Sequence, residues 1–240
     1  MKTITWVILG ASSVIAEEFA HLAAKRGHAL LLVGRNASQL EIIAADMRLR
    51  YRIECSVVFC DFSQDISEFI NTLQKNKEEL ALFIATSYIV ENNQLATPHA
   101  IETLITVNIL SITELISAFM KREQPSHRLI FLSSVAACRG RSKNSLYGAS
   151  KAAIEVYLQG LQQSATPSQH ITIARLGFID TVQTFGLPGI FYTSPPKACA
   201  KACWKAVYGN KRLIYHPFFW RYIMAIITRL PFFLYKRLKI

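Results

Sequence analysis

Short apolar runs alternate with helix-forming stretches along almost the whole of this chain. The runs are rich in Val, Ile, Leu and Phe and span residues 4–9, 28–33, 55–60, 80–85, 129–132, 171–176 and 212–215. Between them, apolar residues recur at helical spacing. Strands that alternate with helices form a parallel sheet, because each crossover places a helix on one face of it. The pattern therefore predicts an α/β fold with one doubly wound parallel sheet of about seven strands.

Length and composition fit one such domain followed by a basic tail. With 240 residues, of which 51% are hydrophobic, the chain can bury one large core. We assign residues 1–215 to the domain and residues 216–240 to the tail. The formal charge of +11 is unevenly placed, since Asp180 is the last acidic residue and ten Lys and Arg follow it.

The cysteines form neither a disulfide framework nor a metal-ligand motif. They are five in number and lack paired spacing, at Cys55, Cys60, Cys138, Cys199 and Cys203. Reduced thiols in a cytoplasmic protein are the simplest interpretation, and we expect no bound metal. The apolar start of the chain is too short for a signal peptide and is interpreted as a strand.

The turn after the first apolar run is a candidate phosphate site. Gly10, Ser12 and Ser13 connect the run at 4–9 to a helical stretch that ends at Gly27. The free N–H groups and the positive end of such a helix attract an anion. Small-residue turns between a strand and a helix are often purely structural, so this turn alone is weak evidence.

The second apolar run ends in Gly34, Arg35 and Asn36, without an acidic residue. In doubly wound folds this strand end meets the adenosine ribose of a dinucleotide. An acidic residue there selects NAD, whereas an arginine accommodates the 2′-phosphate of NADP. Arg35 therefore predicts NADPH, through a charge-assisted contact. A solvated loop arginine is the alternative.

Three residues in the middle of the chain are candidates for acid–base chemistry. Tyr147 and Lys151 lie four positions apart beside a predicted helix at 149–159, which places them one turn apart on one face. A nearby cation lowers the pKa of a phenol, so Tyr147 would donate a proton near neutral pH. Ser134 follows the run at 129–132 and would reach the carboxyl edge of the sheet. Each residue alone is more often a surface or turn residue.

Ser134, Tyr147 and Lys151 together resemble the active-site signature of the short-chain dehydrogenase/reductase family. The resemblance covers nearly the whole chain and implies a Rossmann domain with helices on both faces of the sheet. It implies catalytic roles for these three residues and for Asn108, where a distortion of the helix predicted at 98–122 would hold a proton-relay water. It also implies a set of residues that bind the dinucleotide: Gly10, Ser12, Ser13, Ile15, Arg35, Asn36, Asp61, Phe62, Ala85, Tyr147, Lys151, Gly177, Ile179 and Thr181.

The chain departs from the family pattern in three places. Val14 replaces the second glycine of the phosphate loop, where a branched side chain would crowd the pyrophosphate. Ala85, Thr86 and Ser87 replace the family's Asn-Ala-Gly, so the contact that braces the central strands is lost. Leu176 replaces a proline at the end of the sixth run. These departures favour one alternative to an enzyme, a catalytically silent NADP-binding regulator or scaffold.

A segment rich in Gly, Pro, Phe and Tyr occupies residues 182–196. Long irregular segments within a compact domain are more often functional than filler. We interpret this one as the substrate loop, with an apolar wall formed by Phe185, Leu187, Ile190, Phe191 and Tyr192.

The tail interleaves five Lys or Arg, and no acid, with aromatic residues at Phe218, Phe219, Trp220, Tyr222, Phe232, Phe233 and Tyr235. No uncharged run reaches the roughly 18 residues that span a bilayer. The pattern favours a segment that lies on a membrane surface. An oligomer contact and docking on the core are the alternatives. Nucleic acid is not expected, because the cations lie among bulky aliphatic groups.

The tail and the departures also make the chain similar, more loosely, to the branch that reduces polyprenyl-phosphate-linked keto-pentoses during decaprenylphosphoryl arabinose formation. Together these features predict an NADPH-dependent reductase that converts a ketone into a secondary alcohol. The expected substrate is a small-molecule or lipid-linked ketone. The expected protein is a homo-oligomer in the cytoplasm or on the inner face of the membrane.

Overall fold

A computed structural model of the chain describes residues 3–94, 97–181, 184 and 192–238. Its centre is a single sheet of seven parallel strands in the order β3-β2-β1-β4-β5-β6-β7. The strands are β1 (Thr5–Leu9), β2 (Ala29–Gly34), β3 (Cys55–Phe59), β4 (Leu80–Ile84), β5 (His127–Ser134), β6 (Gln169–Leu176) and β7 (Leu213–His216). The prediction of one doubly wound parallel sheet is therefore confirmed.

Helices cover both faces of the sheet. They are α1 (Val14–Ala24), α2 (Ala37–Tyr51), α3 (Ser67–Lys75), α4 (Pro98–Ile105), α5 (Ser111–Met120), α6 (Ser145–Ser164), α7 (Pro196–Tyr208), α8 (Trp220–Ile227) and α9 (Phe232–Tyr235). Helices α1, α2 and α7 share one core with one face of the sheet, and α3, α5 and α6 share a second core with the other face.

Strand β1 shows why both cores form. Successive side chains of a strand point to opposite faces. Trp6 and Ile8 lie in the core with α1, whereas Val7 and Leu9 lie in the core with α3 and α5. All four side chains are fully buried. A continuous apolar run is thus what a central parallel strand requires.

The strand order reverses between β1 and β4, because the chain winds outward in one direction from β1 and in the other from β4. Ligands of doubly wound folds bind in the crevice at this switch point, beyond the carboxyl ends of the strands. Gly10 follows β1 with a φ of +71°, and a Cβ there would lie 2.8 Å from the backbone nitrogen of Thr86. Only glycine therefore fits this close approach.

The helix predicted at 98–122 runs from Pro98 to Met120 and is distorted around Asn108. A π-helical segment, Thr106–Leu110, separates α4 from α5. By length and composition the whole stretch Pro98–Met120 passes as a membrane span, but 44% of its most apolar window is buried in the fold. Leu104, Asn108 and Leu115 are among its buried residues, which is typical of a core helix.

The tail packs on the domain at the carboxyl edge of the sheet. Trp220 and Met224 of α8 are buried against Val135. The guanidinium of Arg139 donates hydrogen bonds to the carbonyls of Ile227 and Leu230, and so holds the end of α8. The inner face of the tail thus docks on the core, which was one of the alternatives that the sequence left open.

The predicted substrate loop lies largely outside the described residues, and with it Phe185, Leu187, Ile190 and Phe191. The aromatic ring of Tyr192 lies edge-on to that of Phe219, with ring centres 5.6 Å apart.

Candidate active site

A crevice of about 390 Å³ lies at the switch point between β1 and β4. Many of the predicted dinucleotide-binding residues line it, namely Gly10, Ser12, Ser13, Arg35, Asn36, Asp61, Phe62 and Ala85. Their convergence from the ends of β1, β2, β3 and β4 follows from the parallel sheet, because all carboxyl ends meet at one edge.

The first turn of α1 closes one side of the crevice. Ser13 is the N-terminal capping residue of α1, but its side chain makes no capping hydrogen bond. Val14 is not among the residues that line the crevice, and 44% of its surface is exposed, so its crowding of a pyrophosphate stays a prediction. Ile15 does not line the crevice either; its side chain packs in the core. The glycine turn and the helix end fit a pyrophosphate.

Arg35 lines the crevice just after the end of β2. Arg35 is exposed there, as a residue that meets a 2′-phosphate would be. Asn36 caps α2, since its side-chain oxygen accepts a hydrogen bond from the backbone N–H of Gln39 at 3.0 Å. Asp61 accepts bonds from the backbone N–H and the hydroxyl of Ser63 at 2.9 and 2.8 Å. Both side chains therefore also shape the loops that carry them.

The proposed catalytic side chains converge where β5 meets α6. Tyr147 and Lys151 lie one turn apart on α6, and Lys151 Nζ is 5.9 Å from the centre of the Tyr147 ring. Lys151 Nζ donates a hydrogen bond to the carbonyl oxygen of Leu132 at 2.9 Å. Ser134 Oγ accepts one from the backbone N–H of Ala136 at 3.1 Å. The hydroxyl of Ser134 also lies near enough to the phenol to affect its pKa.

The electrostatics differ from the expectation that Lys151 acidifies the phenol. Burial raises the pKa of Tyr147, and the hydroxyls of Ser87 and Ser134 and the charge of Arg141 oppose that rise. Burial also lowers the pKa of Lys151 to about 7, against the opposing charge of Glu155. The expectation is wrong for the protein alone, because the burial of Tyr147 raises its pKa more than its neighbours lower it, and burial also favours the neutral form of Lys151.

Asn108 makes hydrogen bonds that its predicted catalytic role did not require. Its side chain accepts from the backbone N–H of Tyr88 at 2.7 Å and donates to the carbonyl of Tyr88 at 2.9 Å. It also donates to Ser150 Oγ at 3.0 Å. Asn108 thus braces the segment after β4 against α6.

A buried ion pair beneath the site was not found from the sequence. Glu155 is 2% exposed, and its carboxylate accepts hydrogen bonds from Arg175 and from the hydroxyl of Ser133. Arg175 in turn donates to the phenol oxygen of Tyr215. The available signal was the position of Glu155, four residues after Lys151 and therefore on the same face of the helix.

The residues after β6 lie at the same edge of the sheet. Leu176 pairs with Ser134 in the sheet register, so Gly177 begins the next segment beside the end of β5. Trp220 covers Gly177, because a Cβ on Gly177 would lie 1.9 Å from the indole nitrogen. Ile179 is buried and bridges to Ser194, and the backbone N–H of Thr181 donates to Thr184 Oγ1 at 3.1 Å. None of these three lines the described crevice.

Comparisons with known proteins agree with this geometry. The model of the short chain dehydrogenase family matches residues 5–184. An uncharacterised oxidoreductase of Mycobacterium tuberculosis is 25% identical over 97% of this chain and 96% of its own length. A short-chain dehydrogenase from Sphingobium yanoikuyae, solved with NADPH, superposes with a TM-score of 0.80 at 22% identity, covering 95% of this chain and 97% of that one. A ketone-specific alcohol dehydrogenase from Comamonas testosteroni superposes with a TM-score of 0.81 at 20% identity, covering 97% and 96%.

The chain belongs to the short-chain dehydrogenase/reductase family, a class of oxidoreductases. The resemblance first drawn from Ser134, Tyr147 and Lys151 is thereby confirmed at the level of the family. The narrower resemblance to the keto-pentose branch stays a prediction.

Lys151 should make the stability of the protein depend on pH. Folding lowers its pKa from 10.5 to about 7, so the unfolded chain binds more protons between these values and stability rises with pH through that window. We expect the free energy of unfolding to rise by about 3 kcal/mol between about pH 6 and pH 9 because of this residue. Lys151→Met should remove that rise in urea unfolding.

Lys205→Met, at an exposed lysine of α7, is the matched control and should keep the wild-type dependence. An unchanged slope in Lys151→Met would mean that the buried ammonium does not carry the effect.

Proposed function

We propose that the protein is an NADPH-dependent reductase that converts a ketone into a secondary alcohol. The observation that carries the proposal is the convergence of Ser134, Tyr147 and Lys151 where β5 meets α6, at the same sheet edge as the crevice lined by Gly10 and Arg35. A hydroxyl, a phenol and an ammonium at one sheet edge are suited to move a proton to a carbonyl oxygen.

Each side chain has a distinct task in this proposal. A bound reduced nicotinamide supplies the hydride. Ser134 donates a hydrogen bond to the ketone oxygen, and Tyr147 Oη delivers the proton to that oxygen. Lys151 lies one turn away, where its charge would stabilise the phenolate that remains. Asn108 holds the loop after β4 against α6 and so fixes the position of the crevice relative to the phenol of Tyr147.

The relatives support the cofactor and the reaction class. The Sphingobium neighbour binds NADPH, and the Comamonas neighbour is described as specific for bulky ketones. The silent regulator or scaffold is the second candidate, motivated by the altered motif at Ala85, Thr86 and Ser87. A complete set of Ser134, Tyr147 and Lys151 disfavours it, because a scaffold has no use for a buried ammonium beside a buried phenol.

Tyr147→Phe should abolish most of the turnover. Without the phenolic proton the general acid is lost, and we expect a decrease of about 10²- to 10⁴-fold. The decrease is measured as the loss of NADPH absorbance with a panel of neutral and acidic ketones. NADPH affinity, followed by cofactor fluorescence, should change little. A variant that reduces ketones at the wild-type rate would reject the assignment of the phenol.

Arg35→Ala should weaken the binding of NADPH and leave the binding of NADH unchanged. A charge-assisted contact with the 2′-phosphate predicts an increase of about 10- to 100-fold in the Kd for NADPH. NADH lacks that phosphate, so its Kd should be unchanged. Lys25→Ala, an exposed lysine on the amino side of β2, serves as the control. Equal changes for both cofactors would contradict a specific 2′-phosphate contact.

The outer face of the tail supports the further proposal that the protein docks on anionic membranes, where a lipid-linked ketone would be reached. Exposed apolar side chains cover that face, at Phe218, Tyr222, Ile226, Phe232 and Phe233. Arg221, Arg229, Lys236 and Arg237 lie among them, and the tail contains no acid. Exposed apolar groups that lie among basic residues, with no acidic residue nearby in the sequence, suit a lipid surface better than an ordinary subunit contact. A homo-oligomer formed through this face is the competing proposal.

Replacement of both Phe232 and Phe233 by serine should reduce the binding of the protein to vesicles. Flotation with vesicles rich in phosphatidylglycerol should recover the wild-type chain, and phosphatidylcholine vesicles should not, because each basic residue adds about 1 kcal/mol only near anionic lipid. Leu49→Ser, at a residue 84% exposed on α2, controls for loss of any surface apolar group. The subunit contact would be favoured if the wild-type chain bound neither kind of vesicle and sedimented as a dimer. Phe232→Ser should then dissociate that dimer.

A further inference from the structure

Among the residues that the structure describes, one cation near Tyr147 has no acidic partner. Arg141 lies in the loop between β5 and α6, and its side chain is half-buried, whereas Ser142 and Lys143 are exposed. Burial lowers the pKa of the Arg141 guanidinium, but an arginine stays protonated at neutral pH. The guanidinium makes neither an ion pair nor a hydrogen bond within the described part of the chain. Such a charge is costly, because a cation that loses water is normally paired with an anion.

The two neighbouring cations of this loop do have partners. Lys143 Nζ forms an ion pair with Glu91 at 2.9 Å. The guanidinium of Arg139 donates hydrogen bonds to carbonyls at the end of α8 and lies 3.8 Å from the centre of the Tyr235 ring. Both side chains therefore hold the loop to its surroundings. Arg141 lies between them, and its charge is left over by these contacts.

The backbone on both sides of Arg141 is anchored. The carbonyl of Gly140 accepts a hydrogen bond from the hydroxyl of Tyr235. The carbonyl of Ser142 accepts one from the side-chain nitrogen of Asn92 at 2.7 Å. Because both neighbours are held, the position of Arg141 is fixed before any ligand binds, which lowers the entropy cost of binding.

The loop also places Arg141 near the phenol of Tyr147. A Cβ on Gly148 would lie 2.6 Å from the carbonyl oxygen of Ala136, so the start of the loop packs tightly on the first turn of α6. Burial raises the pKa of Tyr147, and the charge of Arg141 is one of the effects that oppose this rise. Arg141 is not among the residues that line the crevice for the dinucleotide. Its charge is therefore available to the other reactant, the ketone.

We propose that Arg141 binds an acidic group, a carboxylate or a phosphate, on the ketone that the protein reduces. This assignment rests on the proposed function, since it needs the ketone to lie against the phenol of Tyr147. A guanidinium can hold either anion through two parallel hydrogen bonds. One such anion would neutralise the half-buried charge and orient the ketone for reduction. A neutral ketone would leave the charge uncompensated.

The test measures the binding of two matched pairs of ketones to the protein saturated with NADP⁺, in which no reduction occurs. One pair is dihydroxyacetone phosphate and dihydroxyacetone, and the other is 4-oxopentanoate and its methyl ester. In calorimetric titration the wild type should bind the acidic member of at least one pair about 10- to 100-fold more tightly than the neutral member, because hydrogen bonds to charged groups contribute on that scale. The pair that shows the preference distinguishes a phosphate from a carboxylate.

Arg141→Gln should abolish the preference for the acidic member and leave the binding of the neutral member unchanged. Arg141→Lys should keep part of the preference, because it retains the charge and loses the paired geometry. An unchanged affinity for NADP⁺ shows that both variants are folded. Lys143→Gln removes the same charge two residues further along the loop and should keep the full preference.

The outcomes separate this assignment from the proposed function. The assignment is overturned if the wild type binds the acidic ketones no better than the neutral ones, or if Arg141→Gln keeps the preference. An equal loss in Lys143→Gln would overturn it as well, since the effect would then come from the general positive charge of the loop. These results would leave NADP⁺ binding intact. A wild-type chain that does not bind NADP⁺ would instead contradict the proposed function, and this assignment would fail with it.

Discussion

The hydrogen bond from Lys151 to the carbonyl of Leu132 fixes α6 on the sheet. An ammonium that is 3% exposed is costly to bury. The structure offsets this cost with the carbonyl of Leu132 at 2.9 Å and with Glu155 one turn further along α6. Because α6 is held to β5 at this point, Tyr147 one turn earlier is also held at the carboxyl edge.

The second constraint is the contact between the turn after β1 and the end of β4. Gly10 admits the backbone of Thr86 at a distance that no side chain would allow. Asn108, within the π-helical segment, then holds the next residues through both backbone groups of Tyr88. A π-helical segment is frequent at functional sites because it redirects one side chain without ending the helix. Here it carries Asn108 into the space between β4 and α6.

The sequence predicts most of this architecture because its main signals are local. Strand and helix periodicity places the sheet, and Arg35 follows the predicted end of β2. The signals that failed depend on tertiary contacts. The pKa of Lys151 is lowered because the side chain is buried near Tyr147 and Phe131. The spacing of residues in the sequence does not predict how deeply a side chain is buried. The Glu155–Arg175 pair joins a helix to a strand twenty residues further on, so neither partner identifies the other in the sequence.

The tail shows how a local signal can be right about composition and incomplete about structure. Its aromatic and basic residues indicate a surface segment, yet Trp220 lies against Gly177, and Arg139 holds the carbonyl end of α8. The Arg139 guanidinium also lies 3.8 Å from the centre of the Tyr235 ring in α9. Trp220 thus contacts the segment that follows Leu176 at the end of β6. Arg139 lies in the segment that follows Ser134 at the end of β5. A surface that binds the outer face of the tail would therefore act close to the ends of β5 and β6, because Trp220 on the inner face of α8 packs against Val135 and Gly177.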